Sequence, residues 1–191
     1  KMDRREALKS VALLLGGTVI GAEMFLQTGC KPSAKSVNDL FTADNVAYMN
    51  EIAETILPET STPGAKAAKV GDFMAVMVRD CYTPEDQQVF LEGLTKVNDE
   101  SEKMYDKKFM DLDAKQRTAV LTALDVEQRK YAENKDEDKP NHYFRMMKEL
   151  TLLGYFTSEV GATKALRYLP VPGRYDGCMP YKKGDRAWAT S

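Results

Sequence analysis

Val70-Gly71-Asp72-Phe73-Met74-Ala75-Val76-Met77-Val78-Arg79-Asp80-Cys81 is the stretch that decides the fold. Val70, Phe73, Met74, Met77, Val78 and Cys81 recur at steps of three and four residues, the spacing of one face of an α-helix. This predicts a helix over 70–82, with Gly71 in its first turn, where a glycine costs little. Before it, residues 58–69 are rich in Pro, Gly, Ser and Thr, and Pro63-Gly64 demands a turn. Before that, Val46, Met49, Ile52, Ala53 and Ile56 repeat the helical period. Thr42 offers an N-cap and Pro58 a stop, so a helix is expected over 43–57.

Toward the C-terminus the same grammar continues. Thr83-Pro84-Glu85-Asp86 combines an N-cap, a first-turn proline and first-turn acids. Phe90, Leu94, Val97 and Met104 supply the buried stripe of a third helix, to about residue 105. Asp113 caps a fourth helix, with Gln116 completing a capping box. Its inner face is Val120, Leu121, Leu124, Gln128 and Tyr131. The run 134–139 is charged and reads as a solvated loop. Pro140 opens a fifth helix lined by Tyr143, Phe144, Met147, Leu150 and Thr151. Ser158-Glu159 can start a short helix through Leu166.

From Tyr168 the period disappears. Prolines, glycines and aromatics predict an extended, irregular tail over 168–191, with any strand pairing confined to 168–181. Arg174, Tyr175, Tyr181 and Trp188 are residue types that anchor interfaces, although part of the tail is expected to pack on its own domain. The expected class is all-α: a compact bundle of about five to six helices with an irregular C-terminal tail.

The first 30 residues have a different layout. Arg4-Arg5 precedes an uncharged run from Ser10 to Ala22, and Thr28-Gly29-Cys30 closes it, in the order of an export signal. Arg4, Arg5, Leu8 and Lys9 resemble a twin-arginine signal, with Asp3 and Ala7 where the usual pattern has Ser and Phe. A spanning helix needs about 20 apolar residues, and Glu23 interrupts this run, so an address is favoured over a permanent span. Cys30 resembles the lipid-modified cysteine of bacterial lipoproteins; the alternative is a plain thiol. The expected order is a signal segment over 1–30, a polar tether over 31–41 and one helical domain over 42–191. The basic, small residues after Cys30 argue against display on the outermost cell surface.

A formal net charge of −2 leaves no basic footprint for nucleic acid, and 43% hydrophobic residues suffice for one core. If Cys30 carries lipid, Cys81 and Cys178 remain, either as a disulfide in an oxidising compartment or as two buried thiols.

Motifs for chemistry are sparse. The single His142 cannot supply a two-iron bundle, which needs a histidine on each of two helices. The sequence has no Cys-x-x-Cys-His haem signature, no Cys/His zinc cluster and no Gly-x-Gly-x-x-Gly opening a βαβ unit. His142 reads as a helix-start residue facing solvent or a carboxylate. Glu51 and Glu54, and Asp99, Glu100 and Glu102, read as solvated faces. The methionines read mainly as core filler. No catalytic or metal-ligating residue is assigned.

Ile56-Leu57-Pro58-Glu59, Thr62-Pro63-Gly64-Ala65, Val70 and Phe73, with Leu153-Gly154-Tyr155-Phe156-Thr157-Ser158-Glu159, resemble the gluconate 2-dehydrogenase subunit 3 family. The resemblance covers most of 43–191. It implies the small subunit of an exported, FAD-dependent sugar or sugar-acid dehydrogenase. Such a chain holds no cofactor. It binds a large flavoprotein subunit and, in many members, works beside a cytochrome c subunit carrying haem c. Pro63, Gly64, Arg174, Tyr175, Tyr181 and Trp188 are the candidate partner contacts. The expected route is the twin-arginine translocase and the expected place the periplasm, held to the membrane by lipid or signal. Two other readings stand beside it: an independent periplasmic lipoprotein that binds a ligand near 58–69 and the tail, and an enzyme using Glu51, Glu54 or His142.

Overall fold

The computed structural model describes residues 36–171, 173–174 and 176–189. The twin-arginine residues Arg4, Arg5, Leu8 and Lys9, the lipidation candidate Cys30 and the candidate contact Tyr175 lie outside the described residues.

Five α-helices make up the described core: α1 Ala43–Ile56, α2 Val70–Cys81, α3 Pro84–Tyr105, α4 Ala114–Glu133 and α5 Tyr143–Thr157. The all-α bundle expected from the periodicity is the architecture observed. Three of the caps are those the sequence announces. The Thr42 hydroxyl accepts from the Asn45 amide (3.4 Å), and the Thr83 hydroxyl accepts from the Asp86 amide (3.2 Å). Asp113 and Gln116 exchange bonds of 2.9 and 3.1 Å. Each cap satisfies amide donors that a helix start leaves without intrahelical acceptors.

Helix α1 packs on α2, α2 on α5, and α3 on both α4 and α5. Tyr48, Met49, Ile52, Val70, Met74, Val78, Phe90, Leu94, Val97, Leu124, Phe144, Met147 and Leu150 fill one continuous core. Two close approaches depend on glycine. A Cβ on Gly71 would lie 2.6 Å from the Val46 carbonyl, and one on Gly93 2.5 Å from Tyr143 Cβ. The Tyr48 hydroxyl, buried with its ring, donates to the Leu94 carbonyl (3.1 Å) and so keeps its polar atom satisfied in the core.

Several expectations need correction. Val37–Phe41, read as part of a polar tether, form a 3-10 helix whose Leu40 is fully buried. Val37, Leu40 and Phe41 do fall at helical spacing, but five residues are too short a window for that spacing to stand out. The fifth helix opens at Tyr143, because His142, and not Pro140, caps it. Met104 is exposed, and Leu91 and Ser101 are buried in its stead. Phe109, in a 3-10 turn over Phe109–Asp111, is a further core residue, set edge-on to Tyr48 at 5.9 Å. Cys81 and Cys178 are both free and both exposed, so the structure holds neither the expected bridge nor buried thiols. After α5, a π-helical turn spans Gly161–Ala165, and one bridge pairs Arg167 with Trp188.

Candidate partner-docking surface

The family-like loop between α1 and α2 is held from three sides. Glu54, half-buried on α1, accepts the Glu59 amide on one carboxylate oxygen (2.8 Å) and the Lys66 amide on the other (2.7 Å). Gly64 is buried directly against this carboxylate, and a Cβ there would collide with it. From α5 the Tyr155 hydroxyl donates to the Pro63 carbonyl (2.6 Å). Asn50 Oδ1 accepts the Gly71 amide (2.9 Å) where α2 begins. Pro63 and Gly64, expected among the partner contacts, are therefore engaged within the chain: one through its carbonyl, the other by close packing.

A second polar cluster sits beside the first. Glu51 pairs with Lys66 (2.6 Å) and with Arg117 of α4. Arg117 also donates to the Phe109 carbonyl (3.1 Å) and the Met110 carbonyl (2.7 Å), tying α4 to the 3-10 turn. Burial works against the Glu51 charge, yet the Lys66 hydrogen bond and the charges of Arg117 and Lys66 outweigh it, and the carboxyl lies below its ordinary value. Both glutamates, read from spacing as a solvated face, are parts of the framework.

His142 is a buried helix cap. Its Nδ1 accepts the Phe144 amide (3.3 Å), which leaves Nε2 to carry the proton toward Glu127 (3.4 Å). Burial holds the ring below its usual value; the nearby Lys96 adds to this and Glu127 opposes it. Tyr131 and Tyr143 flank it at 5.5 and 4.2 Å. Among the described residues, no group of three or more His, Cys, Asp or Glu could hold a metal ion. A shallow groove of about 190 Å³ between α1, α4 and α5 has the Lys148–Asp125 pair in its wall; that pair and Arg129 hold Asp125 below its ordinary value against the effect of burial.

The outer face of α5 is different in kind. Leu152, Leu153 and Phe156 are 43%, 46% and 38% exposed, and their spacing puts them together on one side of the helix. Between them Gly154 is buried, and a Cβ there would lie 2.6 Å from the Phe73 ring of α2. Val76, one turn along α2 from Phe73, is 42% exposed. The segment that resembles the family thus buries Gly154 and Tyr155 and leaves Leu153 and Phe156 outside, where they join Leu152 in an apolar strip. Sequence reasoning missed this strip, although two adjacent leucines followed by a Phe on a helix already filled elsewhere are its signal. Trp188 is 40% exposed and lies under the Arg167 guanidinium (4.5 Å), and Tyr181 is 75% exposed. Arg174 is exposed too. The described partner candidates of the tail, Arg174, Tyr181 and Trp188, are therefore far more accessible than those of the loop.

The family model described as Gluconate 2-dehydrogenase subunit 3 matches residues 43–173, more than half of the chain. No curated protein and no solved structure matches. The chain belongs to the gluconate 2-dehydrogenase subunit 3 family.

Proposed function

We propose that this family member is a non-catalytic small subunit that binds a large, flavin-dependent sugar or sugar-acid dehydrogenase of the glucose–methanol–choline type. One observation carries the reading: the apolar strip Leu152, Leu153 and Phe156 lies within the family-matching stretch and is left uncovered by the chain's own core. Solvent-facing apolar clusters of this sort are what a subunit interface removes from water. The loop clamps of Glu54 and Tyr155 hold α1, α2 and α5 in one arrangement, so the strip is offered on a rigid support.

The division of labour has a physical basis. A flavoprotein folds around its cofactor before it leaves the cytoplasm, so it needs an exporter of folded proteins. A leader resembling a twin-arginine signal on the small chain, through Arg4, Arg5, Leu8 and Lys9, would carry both subunits into the periplasm. Cys30 would then take a lipid anchor. In this reading FAD belongs to the large subunit, and haem c, where present, to a cytochrome subunit.

Affinity purification of the full chain from its native membranes tests the proposal. A large flavoprotein at equal abundance, with the small chain alone showing no flavin absorbance, is the expected result. Stoichiometric flavin or haem in the isolated chain, or no flavoprotein in the purified material, would overturn it; the second result would favour the independent lipoprotein.

A further inference from the structure

The segment from Tyr168 to Trp188 has a character that the bundle does not share. Every described residue in it is exposed. Its backbone is closed into a loop: the Arg167 amide donates to the Ala187 carbonyl and the Ala189 amide to the Arg167 carbonyl, both at 2.8 Å. Arg186 locks the same end through the Lys164 carbonyl (2.7 Å), and Trp188 stacks on Arg167. The ends are pinned while the middle carries large apolar groups in water: Val171 is 78% exposed, Met179 48% and Tyr181 75%.

Charge in this loop runs against the rest of the chain. Acids outnumber Lys and Arg by 29 to 27 overall, yet residues 174–188 hold Arg174, Lys182, Lys183 and Arg186 against Asp176 and Asp185 alone. Both acids are turned onto backbone amides: Asp176 accepts from Cys178 (3.1 Å) and Asp185 from Lys182 (3.0 Å). They shape turns, and Arg174, Lys182 and Lys183 keep their charge toward solvent at exposed positions.

We propose that the closed loop 168–187 is a contact site for an anionic lipid bilayer, with Met179 and Tyr181 entering the interface and Lys182, Lys183 and Arg174 meeting the headgroups. Amphipathic aromatics and long cationic side chains suit the boundary between water and lipid, each having an apolar body and a polar end. Cations beside a negatively charged leaflet contribute about 1 kcal/mol each, within a Debye length. The exposed Arg174, Lys182 and Lys183 complement an anionic surface, and among the described residues from Leu169 to Ala187 no helix or strand is present. Most of the loop also lies beyond the family match, which ends at residue 173, so what the family shares does not account for it. The inference is independent of the docking strip on α5.

The test uses the full chain carrying Trp188→Phe and Tyr181→Trp, which moves the sole indole into the loop, so that its emission reports the loop's own surroundings. Vesicles of phosphatidylcholine are compared with vesicles containing about one-third phosphatidylglycerol. We expect a blue shift and quenching by bromine-labelled acyl chains on the anionic vesicles only, weakening as salt rises. Adding Lys182→Ala and Lys183→Ala raises the lipid concentration at half-binding about 30-fold, from about 1 kcal/mol for each cation. Unchanged helical circular dichroism shows that the bundle is intact. No shift on anionic vesicles, or an equal shift on neutral vesicles with the lysines removed, overturns the proposal. A shift produced only by the purified large subunit overturns it in favour of a protein partner.

Discussion

Removing the Glu54 carboxylate should reveal how the loop between α1 and α2 is held. Glu54→Ala deletes acceptors for the Glu59 and Lys66 amides. Hydrogen bonds to charged groups contribute about 1.5–3 kcal/mol each, and the exposure of this loop lets water replace part of that, so about 2 kcal/mol is expected for the pair. For a domain of this size that lowers Tm by about 4–8 °C. Glu54→Gln should cost nearly as much, because its NH2 group would face one of the two amide donors. Gly64→Ala provides the decisive comparison. Its new methyl group cannot enter without pushing the carboxylate off its two amides, so alone it should also cost about 2 kcal/mol, within the range for overpacking. In a Glu54→Ala background that obstacle has gone, and the second substitution should add well under about 1 kcal/mol. Urea unfolding followed by circular dichroism, with all four members of the cycle, measures the coupling. Additive costs would refute the reasoning, since they would mean that Glu54 and Gly64 do not share one contact.

Other consequences follow from the same geometry. His142 is held below its ordinary value of 6.5, so the unfolded chain takes up a proton that the folded chain resists, and stability should fall as pH drops from that value through the lowered one. His142→Asn keeps an N-cap acceptor and should flatten this part of the pH profile; an imidazole NMR titration midpoint at or above 6.5 would contradict the account. Arg117→Met leaves Glu51 with Lys66 alone, takes the guanidinium donor from the Met110 carbonyl and leaves the Phe109 carbonyl with only the Leu112 amide (3.3 Å), which should cost about 2 kcal/mol and raise the Glu51 carboxyl, as read by carbon-13 NMR. Because the Glu51 value is lowered in the fold, its contribution is present above the ordinary value of 4.5 and is lost as pH falls through the lowered one. Leu153→Ser with Phe156→Ser should change the unfolding free energy from urea titration by no more than about 0.5 kcal/mol per exposed site, yet sharply reduce recovery of the large subunit on affinity beads.

The bundle was legible because its helices advertise themselves locally. Thr42, Thr83 and Asp113 cap the helices they precede, Pro58 ends α1, and the apolar periods of α1, α2 and α5 name most of the residues that these three helices give to the core. Those signals act over one turn of chain, where sequence spacing is spatial spacing. The landmarks Thr62-Pro63-Gly64-Ala65 and Gly154-Tyr155 also marked the family from the sequence. What they do could not be read in the same way, because Tyr155 reaches Pro63 across 92 residues and Arg117 reaches Glu51 across 66. Contacts of that range leave no local pattern.

By itself, then, the chain's order of residues determined five amphipathic helices, the caps of three of them and the family they compose. The tertiary structure decided which glutamates are framework and which face is left over. The packing of Phe73 onto Gly154 turns Leu152, Leu153 and Phe156 outward, and the Arg167–Trp188 clasp closes the tail into an exposed loop. Helical period specifies which residues can share a face, but only the arrangement of neighbouring helices determines which faces are covered.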